Sequence, residues 1–129
     1  MAEPTDKISD AEYAVMEALW RRTSNGQGAT AADIAADVDP GRGWSAQTVK
    51  TLLARLLAKN IIRHEEDGRR YLYRPRVARE DYVAGESRRL VDRLFGGRIM
   101  PLVAHLAHTD QLSDADISEI QALLKALKS

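Results

Sequence analysis

The chain has 129 residues, 44% of them hydrophobic, and its 19 basic and 19 acidic side chains give a formal net charge of zero. This length suits one domain, or one small domain with an appendage. The lack of cysteine excludes disulfides, thiolate metal sites and cysteine nucleophiles. No apolar run approaches the roughly 20 residues that cross a bilayer, and the N-terminal "MAEPTDKISD" is too polar for a signal peptide. The sequence therefore predicts a cytoplasmic protein without membrane insertion.

Although the net charge is zero, one segment of the chain is basic. Residues 42–76 carry nine basic and three acidic side chains, a balance of +6, and the rest of the chain carries the compensating acidic excess. Charge asymmetry of this kind points to a nucleic-acid surface. Taken alone, it slightly favours the simpler interpretation of a solvated basic segment.

The first predicted helix, "DAEYAVMEALWRR", follows a cap at Ser9 or Asp10 and has apolar residues at helical spacing. The turn "TSNGQG" separates it from a short second helix, "AADIAADV". Thr30 and Asp33 are predicted to form a capping box at the start of this second helix. The turn "DPGRG" then leads to the third helix.

The third helix lies in "WSAQTVKTLLARLLAKNII" and has two chemically different faces. Its predicted core positions are Val49, Leu52, Leu53, Leu56 and Leu57. The opposite side is small and polar, with Gln47, Thr48, Lys50, Thr51, Ala54, Arg55 and Ala58. Such a face can enter a DNA major groove, about 12 Å wide, where Gln, Thr and Arg reach base edges and Lys reaches phosphates. An ordinary amphipathic helix with a mild outer face is an equal alternative.

A β-hairpin is predicted next, because "IIRHE" and "RYLYRP" alternate around an Asp-Gly turn in "EDGR" and Pro75 ends the second strand. Three helices followed by a hairpin form the layout of a winged helix-turn-helix, whose third helix enters the major groove. With the basic segment, this order favours binding to double-stranded DNA. The candidate DNA contacts are Gln47, Thr48, Lys50, Thr51, Arg55, Arg42, Thr30, Arg69 and Arg70.

Three more helices are predicted after the hairpin, in "REDYVAGESRRLVDRLF", "MPLVAHLAH" and "DADISEIQALLKALK". Their apolar stripes need a surface to pack on, and a second subunit is the usual solution. The predicted fold is mainly α with a small hairpin: residues 1–76 form a winged helix-turn-helix domain and residues 77–129 form a dimerisation region. The candidate dimer interface comprises Val83, Leu90, Val91, Leu94, Phe95, Leu102, Val103, Leu106, Ile117, Ile120 and Leu124.

Other classes of function fit the sequence less well. His105 and His108 are three residues apart, but nothing nearby completes a metal site, so no metal or other cofactor is expected. The catalytic motifs HExxH, GxSxG, P-loop and GxGxxG are missing, so an enzyme is not expected. The main alternative is a winged helix that binds another protein, which would expose apolar or acidic anchors on its third helix.

The segments "ISDAEYAVMEALW", "SAQTVKTLLARLLAKNII", "RRYLYRP" and "LFGGRIMPLVAHLA" resemble, in order and spacing, repressors of the penicillinase-repressor (BlaI/MecI) family. The resemblance covers residues 8–127. It implies a homodimer that binds a palindromic operator through the winged helices and dimerises through the C-terminal helices. The family positions that read the operator match Gln47, Thr48, Lys50, Thr51 and Arg55. Gln47 and Lys50 depart from the family's residue types, which leaves the base preference open.

The resemblance also suggests a regulatory context. It implies β-lactam-resistance genes as targets, or other genes controlled by a repressor of the same family. Release would follow cleavage of the tail, triggered by a membrane-bound sensor metalloprotease, at a place matching His105-Leu106, where the family has a different residue pair. The copper-responsive branch uses C-terminal cysteines, which this chain lacks.

Overall fold

The computed structural model describes residues 8–38 and 40–129. The elements of this part are α1 (Asp10–Arg22), α2 (Ala31–Asp37), a short 3-10 helix (Pro40–Arg42), α3 (Ala46–Ala58), β1 (Ile62–Asp67), β2 (Arg70–Pro75), α4 (Arg79–Phe95), α5 (Ile99–His108) and α6 (Asp114–Lys128). The predicted order of elements is confirmed. Two predictions concern residues outside the described part of the chain. One is the "DPGRG" turn at Asp39, and the other is that the N-terminal segment, most of which is not described, is too polar for a signal peptide.

Capping boxes fix the starts of several helices. The predicted box forms at Thr30 for α2, and a further box forms at Ser113 for α6. At α1, Ser9 Oγ accepts a hydrogen bond from Glu12 N at 3.1 Å, and Glu12 Oε1 accepts one from Ser9 N at 2.7 Å. Ser9, rather than Asp10, is therefore the cap of α1. These bonds satisfy amide groups that have no partner within the helix.

The chain divides into two compact units, one that ends at Glu86 and one that runs from Ser87 to Ser129. In the first unit, α1, α2, α3 and the base of the hairpin surround a hydrophobic core. Its largest fully buried side chains are Val15, Met16, Leu19, Ile34, Val49, Leu53, Leu56, Ile61 and Ile62. Leu52 is also buried and Leu57 is half-buried, so the predicted inward face of α3 is confirmed.

A left-handed residue ends α3 and starts the hairpin. Asn60 has φ of 61°, a conformation that asparagine tolerates better than most residues. The amide of Ile61 then donates to the carbonyl of Leu56 at 3.2 Å, and the amide of Asn60 donates to that of Leu57 at 3.0 Å. This pattern satisfies the last carbonyls of the helix. The chain turns sharply enough to bury Ile61 and begin β1.

The hairpin is antiparallel, and its register runs from the pair Ile62–Pro75 to the pair Asp67–Arg70. Its two loop residues are therefore Gly68 and Arg69, one position later than the predicted Asp-Gly turn. Gly68 has φ of 67° and occupies the first central position of the turn, where a two-residue hairpin favours glycine. The shift matters because the closing pair sets which side chains meet at the tip.

A short third strand-like contact, which no sequence pattern predicts, anchors the hairpin to the loop between α1 and α2. Ala29 N donates to Tyr73 O at 3.1 Å, and Tyr73 N donates to Ala29 O at 2.7 Å. A Cβ on Gly28 would come within 2.9 Å of Leu72 Cβ, so this close approach requires glycine. Arg74 Nη1 donates to Gly26 O at 2.7 Å and holds the same loop.

The second unit leaves much of its apolar surface exposed. α5 and α6 have no buried residue. Leu94 is 55% exposed, Leu124 is 52% exposed and Leu127 is 74% exposed. Val91, one of the candidate interface residues, differs because it is already buried in the single chain. Within residues 8–38 and 40–129, no helix combines the length and apolar character of a membrane span.

Candidate nucleic-acid interface

The structure places the α3 candidates on one exposed surface. Gln47, Thr48, Lys50, Thr51 and Arg55 are all exposed, while Val49, Leu52, Leu53 and Leu56 bury the other side of the helix. Ala54 and Ala58 are exposed between the polar side chains, so little bulk stands between the helix backbone and an approaching surface. The exposed face therefore offers hydrogen-bonding groups and a close approach together.

Local hydrogen bonds orient the hydroxyl groups of this face. Ser45 Oγ caps α3 by accepting from Thr48 N at 3.2 Å, and it lies 3.2 Å from Thr48 Oγ1. Thr51 Oγ1 donates to Gln47 O, one turn earlier, at 3.1 Å. Since this bond uses the single proton of the Thr51 hydroxyl, its lone pairs and methyl group remain available for recognition.

A cleft of about 460 Å³ lies where the N-termini of α2 and α3 meet the hairpin. It brings together four candidates from distant parts of the sequence: Thr30, Lys50, Arg69 and Arg70. The remaining lining residues are Ala31, Ala32, Ala46, Tyr71 and Tyr73. Three side chains around the cleft are cationic, and part of its lining is alanine. Such a cleft suits the phosphate backbone of DNA, because binding phosphates depends on positive charge and close approach more than on a complementary shape.

Tyr71 lines the cleft but is not among the candidate residues predicted from the sequence. It is 44% exposed, and its ring stacks on His64 with centroids 4.6 Å apart. Tyr73, opposite His64 in the hairpin, is buried, and burial and then the nearby Tyr71 raise the pKa of its phenol. The strand alternation in "RYLYRP" predicts that the two tyrosines share a face. Both line the cleft, but only packing shows that Tyr73 is buried and Tyr71 is exposed.

The hairpin is less positive than its sequence indicates, because acidic side chains of β1 pair with its arginines. Arg70 donates to Asp67 Oδ2, and Arg74 Nε donates to Glu65 Oε1 at 3.0 Å. Glu65 and Asp67, both in the run "HEED", are exposed, and each forms an ion pair with an arginine. Arg69 is exposed and forms no ion pair with any residue that the structure describes.

Arg42 does not line the cleft. Its guanidinium lies 5.0 Å from the centroid of the Trp44 ring, a cation–π distance. It borders a separate depression along α1, together with Tyr13, Glu17 and Arg21. Arg42 and the three cations of the cleft therefore border different depressions.

The two tail histidines lie on α5. The His105 ring is 6.5 Å from that of Phe95. In the described part of the chain, no three His, Cys, Asp or Glu side chains lie close enough together to hold a metal. The bond between His105 and Leu106 lies inside α5, so a protease that binds extended chains would have to unwind this helix first.

Known proteins resemble this chain over nearly its whole length. The family model for the penicillinase repressor matches residues 8–126. The penicillinase repressor of Bacillus licheniformis is 29% identical over 123 residues, which cover 95% of this chain and 93% of that protein. The methicillin resistance regulatory protein MecI of Mammaliicoccus sciuri is 28% identical over 124 residues, or 96% and 98% of the two chains.

A solved structure supports the fold. The solution structure of the DNA-binding domain of the repressor BlaI is 29% identical in sequence and superposes with a TM-score of 0.52. The match covers 64% of this chain and 94% of that one. The predicted winged helix-turn-helix fold is confirmed.

Proposed function

The chain belongs to the penicillinase-repressor family, and on that premise we propose that it is a transcriptional repressor that binds a palindromic operator as a homodimer. The observation that carries the proposal is the exposed polar face of α3 beside the basic cleft. The names of its relatives, a penicillinase repressor and the DNA-binding domain of a repressor, support the same function.

In this proposal, α3 enters the major groove and the cleft follows the phosphate backbone. Gln47, Thr51 and Arg55 reach base edges, because they combine exposure with groups that match base donors and acceptors. Lys50 and Arg69 contact phosphates at the mouth of the cleft. The buried leucines on the opposite side keep α3 from rotating, so its readout positions stay fixed.

The proposed second subunit covers the exposed apolar surface of the tail. Leu94, Leu124 and Leu127 are each more than half exposed, which is costly in water. Leu124→Glu should therefore shift the dimer toward monomer in sedimentation equilibrium. Gln121→Glu adds the same charge to an exposed position of the same helix and should not. Equal molecular masses for the two variants would contradict dimerisation through α6.

DNA binding is tested with the full chain and duplexes selected from a random library. A palindromic consensus with half-sites one or more helical turns apart is expected. Affinity for the selected duplex should fall steeply between low and moderate salt, because phosphate contacts release counterions. If no duplex is enriched, the repressor proposal fails, and the protein-interaction module becomes the better hypothesis.

For regulation, we propose β-lactam-resistance genes as targets and cleavage of the tail by a membrane-bound sensor metalloprotease as the release step. Relatives that regulate penicillinase and methicillin resistance support this context. Linking two DNA-binding units makes the second contact effectively intramolecular, so cleavage within α5 would weaken binding without changing any DNA contact. Immunoblots of β-lactam-treated cells should show a shortened chain; full-length protein together with derepression would contradict cleavage.

A further inference from the structure

We propose that Asp67 competes with DNA phosphate for Arg70 and so limits the affinity of the hairpin for DNA. This inference rests on the proposed DNA-binding function and assigns a role to an acidic residue within the basic interface. Asp67 Oδ2 accepts hydrogen bonds from Arg70 Nε at 3.2 Å and from Arg70 Nη2 at 3.1 Å.

The turn geometry creates this contact. Asp67 and Arg70 are the closing pair of the hairpin, on either side of the loop residues Gly68 and Arg69. Directly opposed residues in an antiparallel pair have neighbouring side chains, so an acid and a base at these positions meet. A turn centred on Asp67 and Gly68 would instead put Asp67 in the loop and separate the two groups.

The pairing occupies the part of Arg70 that DNA would use. Arginine recognises phosphate best through two parallel N–H groups on one edge of the guanidinium. Asp67 fills the edge formed by Nε and Nη2. A phosphate in the cleft must therefore displace the carboxylate or bind through the remaining edge while the negative charge of Asp67 stays close.

Arg70 differs from Arg69 and Arg74 in its charged partners. Arg74 is bound to Glu65 and to the carbonyl of Gly26, so it anchors the hairpin to the loop between α1 and α2. Arg69 has no ion pair with the described residues and can bind a phosphate without breaking one. Arg70 lines the cleft, and its ion-pair partner Asp67 is exposed, so the pair is of the kind that a phosphate can displace.

The test is a double-mutant cycle on the full chain, read by fluorescence anisotropy with a labelled mixed-sequence duplex across a salt series. The proteins are the unmodified chain, Asp67→Asn, Arg70→Gln and the double variant. Asp67→Asn should bind about two- to five-fold more tightly, the range expected for losing one exposed ion pair. For this variant, the slope of log affinity against log salt concentration should become steeper by about 0.9, as expected for one more phosphate contact. Arg70→Gln should lose more affinity in the Asp67→Asn background than alone.

Asp92→Asn is the matched control, since it removes the same charge from a carboxylate that pairs with Arg88 in α4. It should leave affinity unchanged, and thermal melts should show that all variants are folded. The inference is overturned if Asp67→Asn does not tighten binding, or if Arg70→Gln costs the same in both backgrounds, because Asp67 would then act by general repulsion. If the unmodified chain binds no duplex at all, it is the proposed function that fails.

Discussion

Lys59 Nζ lies 2.8 Å from Glu12 Oε1, and this ion pair joins the end of α3 to the first turn of α1. Glu12 is only 2% exposed, and its Oε1 also accepts from Ser9 N at 2.7 Å. Its other oxygen, Oε2, is buried and has no hydrogen-bond partner among the described residues. The orientation of the proposed recognition helix therefore depends on a buried carboxylate that is bound by Lys59 at the end of α3 and by Ser9 at the start of α1.

The pH dependence of the free energy of unfolding should reveal the contribution of the ion pair between Glu12 and Lys59. Burial raises the pKa of Glu12, but the hydrogen bonds from Lys59 and Ser9 outweigh burial and lower the net pKa from its ordinary value. Because the folded pKa is lowered, the contribution of Glu12 is present above its unfolded pKa and is lost as pH falls through the folded one. Urea unfolding from pH 7 downward should show stability falling in this acidic range.

Glu12→Gln should make that fall shallower without abolishing it. Glu17 and Asp33 also have lowered pKa values, through hydrogen bonds from Tyr13 and from the Thr30 backbone respectively, and both remain in the variant. An unchanged slope in Glu12→Gln would show that the pair does not couple protonation to folding.

Lys59→Met should destabilise the protein by about 2 kcal/mol at pH 7, because it leaves the buried Glu12 carboxylate without its cation. Lys50→Met, on the exposed face of the same helix, should change stability by less than about 0.5 kcal/mol. The measurement is the midpoint of chemical denaturation for both variants. Equal midpoints would mean that the ion pair adds nothing to folding.

Arg55→Ala should weaken operator binding by about 1–3 kcal/mol if its side chain contacts a base or a phosphate pair. Arg93→Ala removes an exposed arginine from α4 and should leave the affinity unchanged. Anisotropy titrations with the selected duplex compare the two at constant salt. A wild-type affinity for Arg55→Ala would remove this residue from the interface.

Fragments can locate the end of the DNA-binding unit. Trp20 Nε1 donates to Val77 O at 3.0 Å, and the buried Tyr82 packs against the rings of Tyr13 and Trp20 at 6.0 and 5.7 Å. A fragment of residues 1–76 loses these contacts and should melt at least about 10 °C below one of residues 1–86. A fragment ending at Gly97 should melt like the second. Equal melting of all three would place the boundary at residue 76.

The shorter fragments also separate folding from dimerisation. Residues 1–86 retain the α3 face and the cleft but lack α5 and α6. We expect this fragment to fold as a monomer and to bind a palindrome much more weakly than the full chain, which calorimetry and anisotropy can measure. Full-strength binding by the monomer would contradict the proposed role of the tail.

Much of the fold follows from local patterns. Ser9, Thr30 and Ser113 each precede a residue three positions on that completes a capping box, so the starts of these helices can be read directly. The buried side of α3 follows from the helical spacing of its leucines. These contacts join residues three or four positions apart, and sequence spacing alone sets such distances.

Contacts at long range could not be predicted in the same way. The pair Glu12–Lys59 spans 47 residues, and the bridge between Ala29 and Tyr73 depends on where the hairpin packs. The turn at Gly68 is displaced by one residue, and that shift decides that Asp67 faces Arg70. Composition shows the charges on the hairpin but not which of them neutralise one another.

The order of elements, the two faces of α3 and the apolar stripes of the tail can all be derived from the sequence, because each depends on a periodicity within one element. Which candidates share a surface depends instead on tertiary packing. It gathered Thr30, Lys50, Arg69 and Arg70 around one cleft, left Arg42 beside α1 and added Tyr71. Those placements depend on how helices and hairpin pack on a common core, and no single segment encodes that packing.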